Sequence, residues 1–439
     1  MVAYLSLKKN AFRLITGTGV QVFSQLITIV VLSRLLSPSE FGAVSASIIV
    51  VQLLQIFAEF GVSPYLVQLR VLDNLTLGCA VWVAQVAAIL WAAILILIAT
   101  PASTLLNMQE VGHILPVYSL LYLSLGLCSV QDALHQRNLN YLLISRADSI
   151  SYLVGYAGIS ILCAALNFSY WSIVIGHVSQ SFIRCLIIRW GIRIPAGAMP
   201  KYKDIHHLLN FGFWQSMSRL ASYSASQIDS FIVAQRLGSE IMGVYGRSNQ
   251  LATMPVLQLG QVLDRLIFPY TAKNNRENTG GNNSYIRMYS IVCYLSFPLA
   301  IILSLCAKYF VPLILGNQWT GAIEPVEILL LAMPFRLIHK ISDPTARAYG
   351  TTFDRAWRQW IVAFFLGSAA LLAVKFECGM AGIAYCVVMA SVLDATLMTM
   401  LCLKVSKISW GNILAPIGGG LALMLAIYIL VALIVQSAN

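Results

Sequence analysis

An all-α, polytopic membrane fold is what this sequence predicts, on three observations. Of 439 residues, 59% are hydrophobic and only 10% charged, against roughly a quarter charged in an ordinary soluble domain. The apolar blocks are long and recur along the whole chain, and a crossing helix needs about 20 such residues. Period-2 alternation bounded by turns is lacking, which argues against an outer-membrane barrel. A secreted disulfide scaffold, a disordered chain and a soluble enzyme are excluded together. Too little polar surface exists to cover a water-soluble fold of this size.

A span with its connection uses roughly 30–35 residues, which allows about 12–14 helices. The opening stretch, Met1 to Asn10, is short and basic and runs into an apolar block without a small-residue cleavage site. It is read as leading into an uncleaved first helix. Hydropathy and breaks place spans at 12–36, 42–69, 77–99, 114–136, 142–166 and 169–190. A second series follows at 208–237, 241–271, 286–315, 322–346, 357–376 and 381–403, and a last apolar segment at 412–435. The expected organisation is therefore an N-terminal six-helix bundle over 1–196, a C-terminal six-helix bundle over 205–405, and an extra helix packed outside them. Between the bundles lies the longest connection, from Trp190 to Leu208, with Pro195, Pro200, Lys201 and Lys203.

Basic residues orient the array. One set of alternate connections carries 19 of the 28 Lys and Arg residues, while the opposite set holds only Arg34, Arg236, Lys308 and Lys375. The rich side is expected to be cytoplasmic, with the N-terminus inside. This bias accounts for the net charge of +11 without a nucleic-acid partner. Nine cysteines stand singly in apolar runs with no C-x-x-C spacing, so they read as small core residues.

The halves repeat. VLSRLLSPSEFGAVSAS, from Val31 to Ser47, stands 201 residues before IVAQRLGSEIMGVYGRS, from Ile232 to Ser248, so that Leu36 matches Leu237 and Gly42 matches Gly243. With an even number of spans in each unit, the copies share one orientation and are expected to be related by a pseudo-twofold along the membrane normal.

LSRLLSPSEFGAVSA (Leu32–Ala46) and FAEFGVSPYLVQ (Phe57–Gln68) resemble the opening helices of polysaccharide transporters, the lipid-linked oligosaccharide flippases of the multidrug/oligosaccharidyl-lipid/polysaccharide superfamily. ALHQRNLNYLLISRADSISYLVG (Ala133–Gly155) and, more loosely, LGNQWTGAIEPVEILLLAMPFR (Leu315–Arg336) are similar to later parts of that family. The resemblance implies flipping of undecaprenyl-diphosphate-linked sugar repeats across the bacterial inner membrane, with membrane lipids around the chain and a polysaccharide polymerase as its protein partner. The apparent thirteenth helix departs from the 12 or 14 common among relatives.

An ionisable side chain at the bilayer centre costs about 2.5–3.5 kcal/mol even on the mildest scale, so it normally faces a cavity or a partner. In the seventh span, Gln215, Arg219, Ser222, Ser226 and Asp229 share one helical face. Arg247, Gln250, Met254, Gln258, Gln261 and Arg265 share a face of the eighth, and Arg336, Lys340, Asp343 and Arg347 align in the tenth, where Pro344 is placed to kink or end the helix. At the 201-residue offset, Thr18, Gln21, Gln25 and Thr28 form the matching uncharged face. In the first bundle the deep acidic residues are Glu59 and Asp132, with Asp148 nearer the cytoplasm.

The functional reading is a wet central cavity. Arg219, Arg247, Arg265 and Arg336 are its anion-binding candidates, because guanidinium groups engage phosphate oxygens in pairs. Gln21, Gln25, Ser222, Ser226 and Gln258 would complete the lining. Asp229 and Glu59 are alternative ion-coupling carboxylates, and Lys340, Asp343, Arg347 and Arg137 a cytoplasmic gate. The structural alternative pairs Arg219 with Asp229, or Arg265 with Asp264, and leaves Arg247 near the outer surface. His113, His135, His177, His206, His207 and His339 show neither H-x-x-x-H nor H-E-x-x-H spacing, and no Walker loop is present. Neither cofactor, metal nor catalytic residue is expected, and a proton or sodium gradient is the expected driver. The competing reading is a multidrug or organic-cation antiporter of the same fold, which should line its cavity with carboxylates. A membrane glycosyltransferase would need a sizeable extramembrane loop, and the loops are short.

Overall fold

The computed structural model describes residues 24–59, 61–69, 72–190, 202–277, 281–348, 352–406 and 408–438, with side chains described over 24–59, 61–69, 72–190, 212–260, 285–346, 354–406 and 408–431. Every regular element among them is helical. Nine helices among the described residues are long and apolar enough to cross a membrane, and Ser24–Leu35 is a shorter apolar helix. The protein is a multi-pass membrane protein.

Helix α1 is Ser24–Leu35, the described part of the expected span 12–36. α2 (Pro38–Glu59) opens on a capping box: the Ser37 backbone N–H donates to Glu40 Oε2 at 2.6 Å, and the Glu40 N–H returns to Ser37 Oγ at 3.4 Å. Pro38 occupies the first helical position, where its missing N–H costs nothing. The expected span 42–69 is broken at Gly61 (φ 65°), after which α3 covers Val62–Gln68. α4 (Asn74–Leu97) starts where Asp73 Oδ1 accepts from the Thr76 N–H at 2.9 Å. α5 (Ala99–Leu106) and α6 (Gln109–Arg137) follow. α7 (Tyr141–Ile150) continues through a π-helical segment, Ser151–Gly158, into α8 (Ile159–Ala165), and α9 is Trp171–Arg189.

The expected spans 208–237 and 241–271 are two helices that follow one another directly at Gly238, whose φ of 87° and ψ of 176° are not helical; the run Tyr202–Glu277 that contains both is labelled α10. Only glycine adopts that backbone region freely. α11 is Gly281–Leu315; a 3₁₀ turn, Asn317–Ala322, leads to α12 (Ile323–Leu330) and α13 (Met333–Ala348). The expected span 322–346 is thus two helices, and α13 runs on past Pro344 rather than ending there. α14 (Thr352–Lys375), α15 (Gly379–Ser406) and α16 (Gly411–Ala438) complete the chain.

The chain packs as two compact units. The first comprises Met1–Leu220, Leu237–Gly243 and Ile314–Gly316; the second comprises Ala221–Arg236, Val244–Leu313 and Asn317–Asn439. In the first, Val62, Leu66, Val83, Ala84 and Val130 form a core where α3, α4 and α6 meet. In the second, Tyr285, Tyr289 and Phe297 of α11 pack with Met333, Leu337 and Ile341 of α13 and Leu401 of α15. α16 joins that second core through Ile413, while Leu421, Leu423, Leu425, Tyr428 and Leu430 along the same helix are exposed. A row of large apolar side chains along the outside of one long helix suits contact with lipid.

Candidate functional sites in the two units

Each unit contains a polar cavity. That of the first, about 460 Å³, is lined by Glu59, Ser63, Gln68, Asp132, Arg184 and Arg219 among others. Glu59 ends α2, just before the break at Gly61, and is fixed from two sides: Gln55 Nε2 donates to Oε1 at 3.1 Å, and Arg219 Nη1 to Oε2. Arg184 gathers the other two acids, with Nε 2.7 Å from Asp148 Oδ1 and Nη2 3.3 Å from Asp132. The Arg219 and Glu59 side chains stay 37% and 32% exposed, so the pair meets the cavity and is screened by it.

The alternative pairing of Arg219 with Asp229 is corrected by this geometry. Ten residues along a helix is about 15 Å, out of reach of an ion pair, whereas Glu59 lies beside Arg219.

The cavity of the second unit is about 530 Å³ and more heavily charged. α13 presents Arg336, His339, Lys340 and Asp343 at steps of three, one and three, which places them on one helical face. α10 contributes Ser222, Ser226, Asp229, Asn249 and Thr253; α14 contributes Arg355 and Gln359; α15 contributes Asp394. Arg355 Nε donates to Asp343 Oδ1 at 2.6 Å, and Gln359 Nε2 to Asp394 Oδ1 at 2.9 Å. Tyr245 Oη donates to Asp229 Oδ2 at 2.5 Å.

Four polar atoms on this lining are buried without a hydrogen bond: Asp229 Oδ1, Asn249 Oδ1, Arg336 Nη1 and His339 Nδ1, the last of them 2.9 Å from Asp394 Oδ2. An unsatisfied buried group costs about 1–3 kcal/mol. Their convergence on one cavity therefore works against stability and suits a polar ligand.

The sequence-chosen residues divide between these places. Glu59 and Arg219 line the first cavity; Ser222, Ser226, Asp229, Arg336, Lys340 and Asp343 line the second. Arg247 is buried outside both linings and donates to Gln250 Oε1, and Gln25 and Gln258 also lie outside them. Arg137 reaches the C-terminal end of α3, donating to the Leu66 and Leu69 carbonyls at 2.8 and 2.5 Å. That is the cationic capping which helix C-termini favour. Gln21 and the side chains of Arg265 and Arg347 lie outside the described residues. His339, Asp394, Arg355, Gln359 and Asn249 belong to the second site and were not singled out. Asp394 carried a usable signal, as a lone carboxylate in the apolar span 381–403.

A family model described as polysaccharide biosynthesis protein matches residues 31–324. The lipopolysaccharide biosynthesis protein WzxC of Escherichia coli (strain K12) is 21% identical over 325 residues, covering 73% of this chain and 64% of that protein. The succinoglycan biosynthesis transport protein ExoT of Rhizobium meliloti (strain 1021) is 26% identical over 313 residues, covering 70% of this chain and 62% of that one. This chain thus spans less than two-thirds of the length of these relatives. Among solved structures, the lipid II flippase MurJ in an inward closed conformation superposes with a TM-score of 0.75 at 14% identity, covering 94% of this chain and 92% of that chain. The fold is shared.

Proposed function

The chain belongs to the polysaccharide biosynthesis protein family, and from that premise we propose that it flips lipid-linked oligosaccharide repeat units across the bacterial inner membrane. The substrate class is an undecaprenyl-diphosphate-linked repeat unit, moved from the cytoplasmic to the outer leaflet for surface polysaccharide synthesis. The N-terminus is cytoplasmic in this reading, as the basic connections argue. The protein acts as a transporter and not as an enzyme; a polysaccharide polymerase is its downstream partner. A proton or sodium gradient drives alternating access.

The observation that carries the reading is the charged cavity of the second unit. In an otherwise apolar chain it brings Arg336, Lys340 and Arg355 together, with Arg336 Nη1 buried and unpartnered. A diphosphate supplies the acceptor that Arg336 Nη1 lacks, and the planar guanidinium fork suits its oxygens. The named relatives act in lipopolysaccharide and succinoglycan biosynthesis, which supports the same substrate class.

A deletion strain tests it. The expected result is loss of surface polysaccharide with accumulation of lipid-linked repeats on the cytoplasmic side, restored by the wild-type gene. Normal polysaccharide in the deletion strain would overturn it. The organic-cation antiporter reading draws on one observation, the carboxylates Asp229, Asp343 and Asp394 in the same cavity. It requires that the deletion strain become sensitive to cationic dyes with polysaccharide unchanged.

A further inference from the structure

Among the described residues lining the second cavity, His339 is the one side chain whose ordinary titration falls between about pH 5 and 8. Its Nδ1 stands 2.9 Å from Asp394 Oδ2, with the two side chains 23% and 21% exposed. No hydrogen bond is formed there, and the attraction of opposite charges is added when the ring is an imidazolium. Asp394 is held for this contact from a third helix, because its Oδ1 accepts from Gln359 Nε2 at 2.9 Å.

The charged groups facing the pair come from every element that lines the cavity. α13 itself supplies Arg336, Lys340 and Asp343, α14 supplies Arg355, and α10 supplies Asp229. Tyr285 of α11 is engaged with Ser342 Oγ at 2.9 Å and does not line the cavity. Among the described residues the lining holds three basic groups, Arg336, Lys340 and Arg355, against three acidic ones, Asp229, Asp343 and Asp394. With a neutral imidazole the formal charges balance. With an imidazolium the cavity carries one net positive charge.

We propose that His339, held against Asp394, is the proton-binding residue of this cavity and that its protonation raises the affinity for a diphosphate-bearing lipid. The inference rests on the flippase reading for its ligand, and on the described geometry for its proton. Proton and diphosphate reinforce each other's binding, a reciprocity that linkage requires. One added positive charge on the lining of a cavity that holds an anion is expected to raise affinity on the order of tenfold.

Two measurements on the full chain in phospholipid vesicles test this. The first is solid-state NMR of the chain labelled with ¹⁵N-histidine, in which the signal missing from His339→Gln is assigned to His339. That signal should titrate between about pH 5 and 8, with its midpoint moved to lower pH in Asp394→Asn, where the imidazolium loses its counter-charge. A signal that does not titrate, or a midpoint unmoved in Asp394→Asn, overturns the proton site.

The second is binding of undecaprenyl diphosphate at about pH 6 and about pH 8. The phosphates themselves titrate, so the comparison is between variants. Wild type should lose about tenfold more affinity than His339→Gln on going to the higher pH, and His339→Lys should keep high affinity at both. Equal pH dependence in wild type and His339→Gln overturns the link between proton and ligand. If His339 titrates as expected but the chain binds no diphosphate at either pH, the flippase reading falls and the proton site stands.

Discussion

Gly42 and Gly243 cross backbone to backbone, with no room for a side chain on either. A Cβ on Gly42 would lie 1.7 Å from the Ser239 carbonyl oxygen, and one on Gly243 would lie 1.8 Å from that of Pro38. The contact is reciprocal at one offset, since Pro38 and Ser239 are separated by 201 residues, as are Gly42 and Gly243. The internal repeat seen in the sequence therefore meets itself at this point.

Substitution here should be symmetric in its cost. Gly42→Ala and Gly243→Ala each force backbone apart, at the upper end of the range for overpacking, about 3 kcal/mol. Gly238→Ala meets nothing within 4 Å and is opposed only by its positive φ, at about 1–3 kcal/mol. Thermal stability of the three variants in detergent checks this. A large loss for one crossing glycine and none for the other would contradict the reciprocity.

The cap of α4 makes stability depend on pH in a stated direction. The Thr76 hydrogen bonds hold the Asp73 carboxyl below its usual range, so the folded state favours the carboxylate. The cap's contribution is fully present above the unfolded carboxyl value, about 3.9, and is lost as pH falls through the lower folded value. Asp73→Asn keeps an N-cap acceptor without the titration. The difference in melting temperature between wild type and Asp73→Asn should be constant near neutrality and shrink as the buffer is made acidic; a difference that grows on acidification would refute the assignment.

α16 is docked by small residues. A Cβ on Gly420 would lie 2.8 Å from a ring carbon of Phe297, and one on Gly419 2.6 Å from Tyr294. Helices in lipid associate through such close approach, since lipid tails are as apolar as leucine. Gly420→Leu should therefore weaken docking by about 1–3 kcal/mol, and Gly418→Leu, with open space around it, should not. Cysteine pairs placed across α11 and α16 should cross-link in Gly418→Leu and fail to do so in Gly420→Leu.

Most of the helix plan was legible because each span needs a run of apolar residues whatever its packing. Legibility failed where packing replaces hydropathy. The span read as 322–346 is two helices, α12 and α13, parted after Leu330. Half of the second site was visible as the polar stripe Arg336–Lys340–Asp343. His339 stands within that stripe, but it was weighed only by spacing to other histidines. Its partner Asp394 is 55 positions away on another helix, a proximity that periodicity on one helix does not reveal. The same limit misdirected Arg219: a shared helical face suggested Asp229, while the real neighbour, Glu59, comes from α2.

Arg219 offers the test that turns on sign. Its pair with Glu59 is about one-third exposed on both sides, and such screened pairs contribute only about 0–1 kcal/mol. Arg219→Ala should therefore leave the folded protein nearly as stable, while polysaccharide export falls if the guanidinium meets the anionic substrate. Arg219→Lys keeps the charge but loses the planar fork, and should restore export only in part. Arg219→Glu sets a second carboxylate against Glu59 and against the diphosphate, and should be worse than alanine. If the pair's role is purely structural, Arg219→Ala combined with Glu59→Gln should recover export, because neither partner is then left as an uncompensated charge. Export and protein level measured side by side in these four strains separate the cases. Normal export by stably expressed Arg219→Glu would rule out an anion-binding role for this arginine.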